Sequence, residues 1–139
     1  MSDWTAGELS LFSEARSLVL TAGDGGGPGV EIGMVVAGGE LYVRAYRGAG
    51  SRWFRAAREH GHGRVRVDGG GFDVRFETDG LGPSSEIDNA YRAKYGRVAH
   101  SLVLGVRAQE ATIRIEPAPS RAFDGRKRAG RGAQSPLRE

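Results

Sequence analysis

The chain has 139 residues, 39% hydrophobic and 27% charged, which suits one globular domain with a core and leaves little room for a second. It holds no cysteine, excluding disulfides, thiolate nucleophiles and cysteine-based metal sites. No apolar run approaches the roughly 18 residues of a membrane helix, and Met1 to Arg16 lacks the basic start and apolar middle of a signal peptide, so a cytoplasmic protein without a membrane partner is expected.

Thr5 and Glu8 have the spacing of a capping box, with Trp4 placed to staple onto Leu9, and predict a short helix to about Arg16. Ser17–Thr21 reads as a strand, ended by the glycine-rich loop from Gly23 to Gly29. Val30, Ile32, Met34 and Val36 alternate as one further strand, and Gly38-Gly39 makes a hairpin turn. The next strand places Leu41, Val43 and Ala45 on one face and Tyr42, Arg44 and Tyr46 on the other. Ser51 caps a helix to Glu59 that buries Trp53, Phe54 and Ala57. A second hairpin runs from Val65 and Val67 through Asp68-Gly69-Gly70-Gly71 to Phe72, Val74 and Phe76. Pro83-Ser84-Ser85 opens a helix reaching Gly96, with Asp88 spaced to pair with Arg92. Ser101–Val106 reads as either a short strand or a loop, and the alternation of Ile113 and Ile115 gives a last strand ended by Pro117. Six strands with glycine-rich turns predict an α+β fold, a small antiparallel barrel over residues 1–117 with about three helices.

Residues 118–139 show no periodicity and are expected to form a disordered tail. Arg121, Arg126, Lys127, Arg128, Arg131 and Arg138 against Asp124 and Glu139 give this tail a charge of +4, while the whole chain carries +3. The body is therefore close to neutral, and its aromatics fall mostly on core faces. Both facts argue against nucleic acid as a partner.

Chemistry concentrates between Leu41 and Phe54. A strand bearing Arg44 and Tyr46 leads through a loop with Gly48 and Gly50 into a helix start at Ser51. Arg44, Arg47 and Arg52 around such a terminus suit an anion such as phosphate, and Tyr46 or Trp53 suits a stacked ring. The same pattern also describes a capped helix with solvent-facing arginines. Tyr91, Lys94 and Tyr95 share a helix face, either as pocket residues with a phenolic proton donor or as ordinary packing. His60, His62 and His100 lack the spacing of a ligand set, so no metal is expected.

The blocks Leu41-Tyr42-Val43-Arg44, Tyr46-Arg47-Gly48, Trp53-Phe54-Arg55-Ala56, Ala90-Tyr91-Arg92-Ala93-Lys94-Tyr95-Gly96 and Ala111-Thr112-Ile113-Arg114-Ile115 resemble the FMN-binding split barrels. They are closest to a domain family of unknown function placed beside the deazaflavin-dependent nitroreductases. The resemblance spans Trp4 to Pro117. It implies a six-stranded split barrel, a homodimer with its sites at the interface, and an oxidoreductase using FMN or deazaflavin on a small molecule. It also implies cofactor binding by Arg44, Tyr46, Arg47, Gly48, Ser51, Arg52, Trp53 and Lys94, with Tyr91 and Tyr95 as catalytic residues facing the substrate. The Gly-Arg-x-x-Gly segment common in the nitroreductases is missing here. The alternative is thus a cofactor-free split barrel that binds a small molecule or serves as a partner subunit.

Overall fold

A computed structural model describes residues 4–23, 29–81, 84–97 and 105–118. The expectations for residues 101–104 and for the tail beyond Ala118 lie outside the described residues. Among the described residues seven strands are present: β1 (Leu18–Ala22), β2 (Val30–Ile32), β3 (Val35–Ala37), β4 (Glu40–Arg44), β5 (His62–Val67), β6 (Gly70–Glu77) and β7 (Thr112–Pro117). Among the described residues four helices accompany them: α1 (Ala6–Glu14), α2 (Arg52–His60), α3 (Ser85–Tyr95) and α4 (Val106–Glu110). None is long and apolar enough to cross a membrane.

The strands form one sheet in the order β2-β1-β5-β6-β7-β4-β3, every pair antiparallel. Its two edge strands, β2 and β3, are separated in the chain only by Gly33 and Met34. At 3.8 Å per Cα step, Ile32 and Val35 stand within about 11 Å of each other. A sheet whose opposite edges lie that close must curl, and it does so into a half-barrel.

Turn chemistry fixes the hairpins. Asp68 and Gly69 both take positive φ (47° and 86°), as do Gly38 and Gly39 (60° and 80°). Two central residues at positive φ match the right-handed twist of the flanking strands. The resulting registers pair Val67 with Gly70 and Ala37 with Glu40. In β5 the alternation is strict: Gly63, Val65 and Val67 are buried, while His62, Arg64 and Arg66 are exposed. Gly63 carries no side chain because a Cβ there would run into the Thr21 carbonyl.

The main core lies inside the curl and gathers Phe12, Leu18, Leu20, Met34, Leu41, Val43, Phe54, Val65, Val74, Ile113 and Ile115. The Thr5–Glu8 capping box is present. Trp4 packs edge-on against Phe12 and Phe72, at 4.8 and 5.6 Å between ring centroids. Its indole N–H, once buried, needs an acceptor and donates to the Ile115 carbonyl at 2.9 Å. That bond ties the start of the chain to its last strand. On the opposite face of β3 and β4, α3 covers a second cluster of Val35, Ile87 and Tyr91.

Two expectations are corrected. The sheet has seven strands rather than six, because the run from Val30 to Val36 breaks at Gly33 and Met34, where the sheet edges turn into each other. Asp88 pairs with Arg44 on β4 instead of Arg92, which bonds Asn89 within α3. The stretch read as strand or loop, Ser101–Val106, lies mostly outside the described residues, and the short helix α4 begins at its last residue. The predicted tail begins with an ordered contact, since the Ala118 amide donates to the Asp73 carbonyl and prolongs the β6–β7 pairing.

Candidate functional site

A cavity of about 780 Å³ opens where β4 runs into α2. One wall is β2, with the half-buried Val30 and Ile32 and the exposed Glu31. The other comprises Tyr46, Arg47, Gly50, Ser51, Arg52 and Trp53, with Arg107 from α4 beside them.

The connection from β4 to α2 is tight. The Gly48 amide donates to the Ala45 carbonyl, the Ser51 amide donates to the Gly48 carbonyl, and Gly48 takes φ 87°. Ser51 does precede the helix, but its hydroxyl donates to the Gly48 carbonyl at 2.8 Å and caps nothing. The first turn of α2 therefore faces the cavity mouth with no side-chain cap, its backbone dipole favouring negative charge. Arg107 reaches across and donates to the Arg47 carbonyl at 3.3 Å, and the Arg47 guanidinium lies over the Tyr46 ring at 5.7 Å. Arg47, Arg52 and Arg107 are all exposed at the rim, against one carboxylate, Glu31, which accepts from the Ser17 hydroxyl at 2.6 Å. Tyr46 is 56% exposed and half-buried Trp53 lines the cavity, so cations and aromatic surface stand together. Trp53 was expected to be buried with Phe54 and Ala57; it is instead half-buried, packed against the edge of the core while lining the cavity.

Of the predicted cofactor-binding residues, Arg44, Tyr46, Arg47, Ser51, Arg52 and Trp53 border this cavity. Gly48 shapes its loop, where its φ of 87° lies in the left-handed region that favours glycine.

Arg44 is the clear departure. Its side chain is fully covered and points to the α3 side of the sheet. Nη1 bonds Asp88 at 2.6 Å and Nε donates to the Thr112 hydroxyl at 3.0 Å. Thr112 in turn donates to the Gln109 carbonyl, and the Gln109 amide donates to the other Asp88 oxygen. Four elements meet in this network, and the guanidinium is committed to it rather than to a ligand.

Tyr91, Lys94 and Tyr95 do not line the cavity. Tyr91 is buried beneath the Arg44 guanidinium, and burial holds its phenol well above the ordinary range, which the nearby arginine only partly offsets. Tyr95 bonds the Met34 backbone and the Arg16 carbonyl, and its pKa is raised by burial against the lowering effects of Met34 and Arg16. Lys94 donates to the carbonyls of Phe12 and Met34 at 2.9 and 2.8 Å. Burial, and secondarily Arg16, brings its pKa down to about 8.

His60 and His62 are exposed with ring centroids 6.2 Å apart, and no group of three or more potential metal ligands occurs among the described residues. Sequence reasoning missed β2 as a wall and Arg107 as a rim cation. β2 reaches the site only through long-range pairing with β1, which no local pattern reports. Arg107 lies in a stretch without clear periodicity.

Residues 8–115 match the family model described as an uncharacterized protein conserved in bacteria, DUF2255. No match to the chain is found among curated proteins.

Proposed function

The chain belongs to this conserved bacterial family, and we propose that it binds a phosphate-bearing flavin-type cofactor, FMN or a deazaflavin, in the β4–α2 cavity and acts as an oxidoreductase on a small molecule. The observation that carries the reading is the composition of the cavity: Arg47, Arg52 and Arg107 at the rim beside Trp53 and Tyr46. A volume of about 780 Å³ lies within the usual range of cofactor pockets, about 300–1,000 Å³. Guanidinium groups are forked donors that match phosphate oxygens, and the uncapped turn of α2 adds backbone N–H groups of the same preference. Trp53 offers an aromatic face, and Val30 and Ile32 offer apolar surface for a planar ring. The donor set therefore fits the group.

When bound, such a cofactor supplies hydride transfer. The protein's own part is to hold the phosphate with Arg47, Arg52 and Arg107 and to seat the ring between β2 and Trp53. No role in proton transfer is assigned to Tyr91 or Tyr95, since neither phenol lines the cavity. A homodimer belongs to the proposal as well, a second copy covering the cavity mouth where Tyr46 stands exposed.

The test is visible absorbance of the purified protein followed by titration with FMN and with a deazaflavin. Binding of one of them below about 100 μM is expected, equivalent to roughly −5.5 kcal/mol. Failure of both to bind at that level removes the oxidoreductase reading and leaves a cofactor-free binding or partner protein.

A further inference from the structure

Two side chains that miss the cavity bond the backbone at the end of one of its walls. β2 is a three-residue edge strand, held laterally by β1 alone through Leu18, Val19 and Leu20. Its far end runs directly into the bend at Gly33 and Met34. Side chains from α3 hold that bend. The Met34 amide donates to the Tyr95 hydroxyl at 2.9 Å, and the Met34 carbonyl accepts from Lys94 Nζ at 2.8 Å. Lys94 also donates to Phe12 in the last turn of α1, and the Tyr95 hydroxyl stands 2.8 Å from the Arg16 carbonyl. Arg16 closes the cluster by donating to the Lys94 carbonyl at 3.0 Å and lying over the Tyr95 ring. Gly33 is packed so closely that an added Cβ would stand 2.9 Å from the Tyr95 hydroxyl oxygen.

We propose that Tyr95 and Lys94 are positioning residues for the cavity: they lock the Gly33–Met34 bend and so set where β2 stands opposite the arginine rim. The effect on ligands rests on the cavity reading above; the effect on β2 does not. Val30 and Ile32 face the seat of the ring, whereas Arg47, Arg52 and Arg107 belong to elements the clamp does not touch. Loosening the clamp should therefore weaken binding of a planar ring and spare binding of a bare anion. A purely structural role would weaken both together.

The experiment uses the full chain with Tyr95→Phe, which keeps the ring and deletes the hydroxyl bonds. Amide hydrogen exchange at Met34 and at those β2 amides that pair with β1 should rise about 10-fold, the worth of roughly one hydrogen bond, while protection across β5 and β6 stays as in the parent. Titrations with FMN and with inorganic phosphate should separate, the FMN dissociation constant rising about 5-fold and the phosphate constant holding. Unchanged exchange in β2, or equal loss of both ligands, would overturn the proposal. If the parent protein binds no FMN, the cofactor reading fails, and the exchange comparison still decides this one. Should Tyr95→Phe not fold, Lys94→Met removes the bonds to Phe12 and Met34 and gives the same comparison.

Discussion

Arg44 and Arg47 are three residues apart and end in opposite situations. Arg44 points to the α3 face, has a fully covered side chain and is spent on Asp88 and Thr112. Arg47, past the end of β4, stands exposed at the cavity rim with Arg52 and Arg107. The same side chain thus serves as an internal strut at one position and stands as an exposed cation on a cavity rim at the other. What separates them is the available carboxylate: α3 brings Asp88 to 2.6 Å of Arg44, while the rim arginines have no ion-pair partner among the described residues. A third case sharpens the contrast. Arg64 and Asp73 on the β5–β6 hairpin also meet at 2.6 Å, yet both side chains are more than half exposed.

Breaking the strut should have the largest effect. Asp88→Ala takes away the carboxylate that stands 2.6 Å from a fully covered guanidinium, and urea unfolding should show a loss of about 3–5 kcal/mol. The double replacement Arg44→Met with Asp88→Leu should recover most of that loss, because neither desolvated charge remains. A double variant as unstable as the single one would show that the network matters for more than charge balance.

The rim arginines should behave the other way round. Arg47→Ala and Arg52→Ala should each change stability by less than about 0.5 kcal/mol. Each should also weaken binding of FMN or deazaflavin by about 1.5–3 kcal/mol, the worth of a charge-assisted contact. Unaltered affinity in both would place the phosphate elsewhere.

Lys94 gives a smaller effect with a definite sign. Its folded pKa is about 8 against 10.5 for an unperturbed lysine, so between those values the unfolded chain binds more protons. Its contribution to stability should therefore rise with pH from about 8 towards 10, and Lys94→Met should lack that rise in urea titrations across the window. The least effect belongs to the exposed pair. Arg64→Ala should cost less than about 1 kcal/mol, and less again at high salt, despite a contact as short as the buried one.

Much of the fold was legible because it rests on local signals: the capping box, the two hairpin turns and the strict alternation in β5. The loop from Tyr46 to Trp53 was legible as a concentration of cations and aromatics for the same reason, since its glycines, arginines and aromatics are contiguous in the chain; the structure places it on a cavity wall. The rest depended on contacts far apart in sequence. Arg44 could not be told from Arg47 without knowing that α3 packs on the outer face of β4 and delivers Asp88. The break at Gly33 was hidden because Val30, Ile32, Met34 and Val36 keep strand periodicity straight through it. Tyr91 and Tyr95 share a helix face as expected, but that face is turned to the sheet edge and the Met34 bend, where Tyr91 is buried and backbone groups take up the Tyr95 hydroxyl.

The central claim is that the rim arginines and the ring seat act on one ligand at once. Parallel titration with FMN and riboflavin, or with a deazaflavin with and without its phosphate, tests it most directly, because the two members of each pair differ in the anionic group. The account predicts that the phosphate-bearing form binds below about 100 μM and that the form without phosphate binds at least about 10-fold more weakly, a gap that Arg52→Ala narrows. Equal affinity for the two forms, or binding of neither, would contradict it.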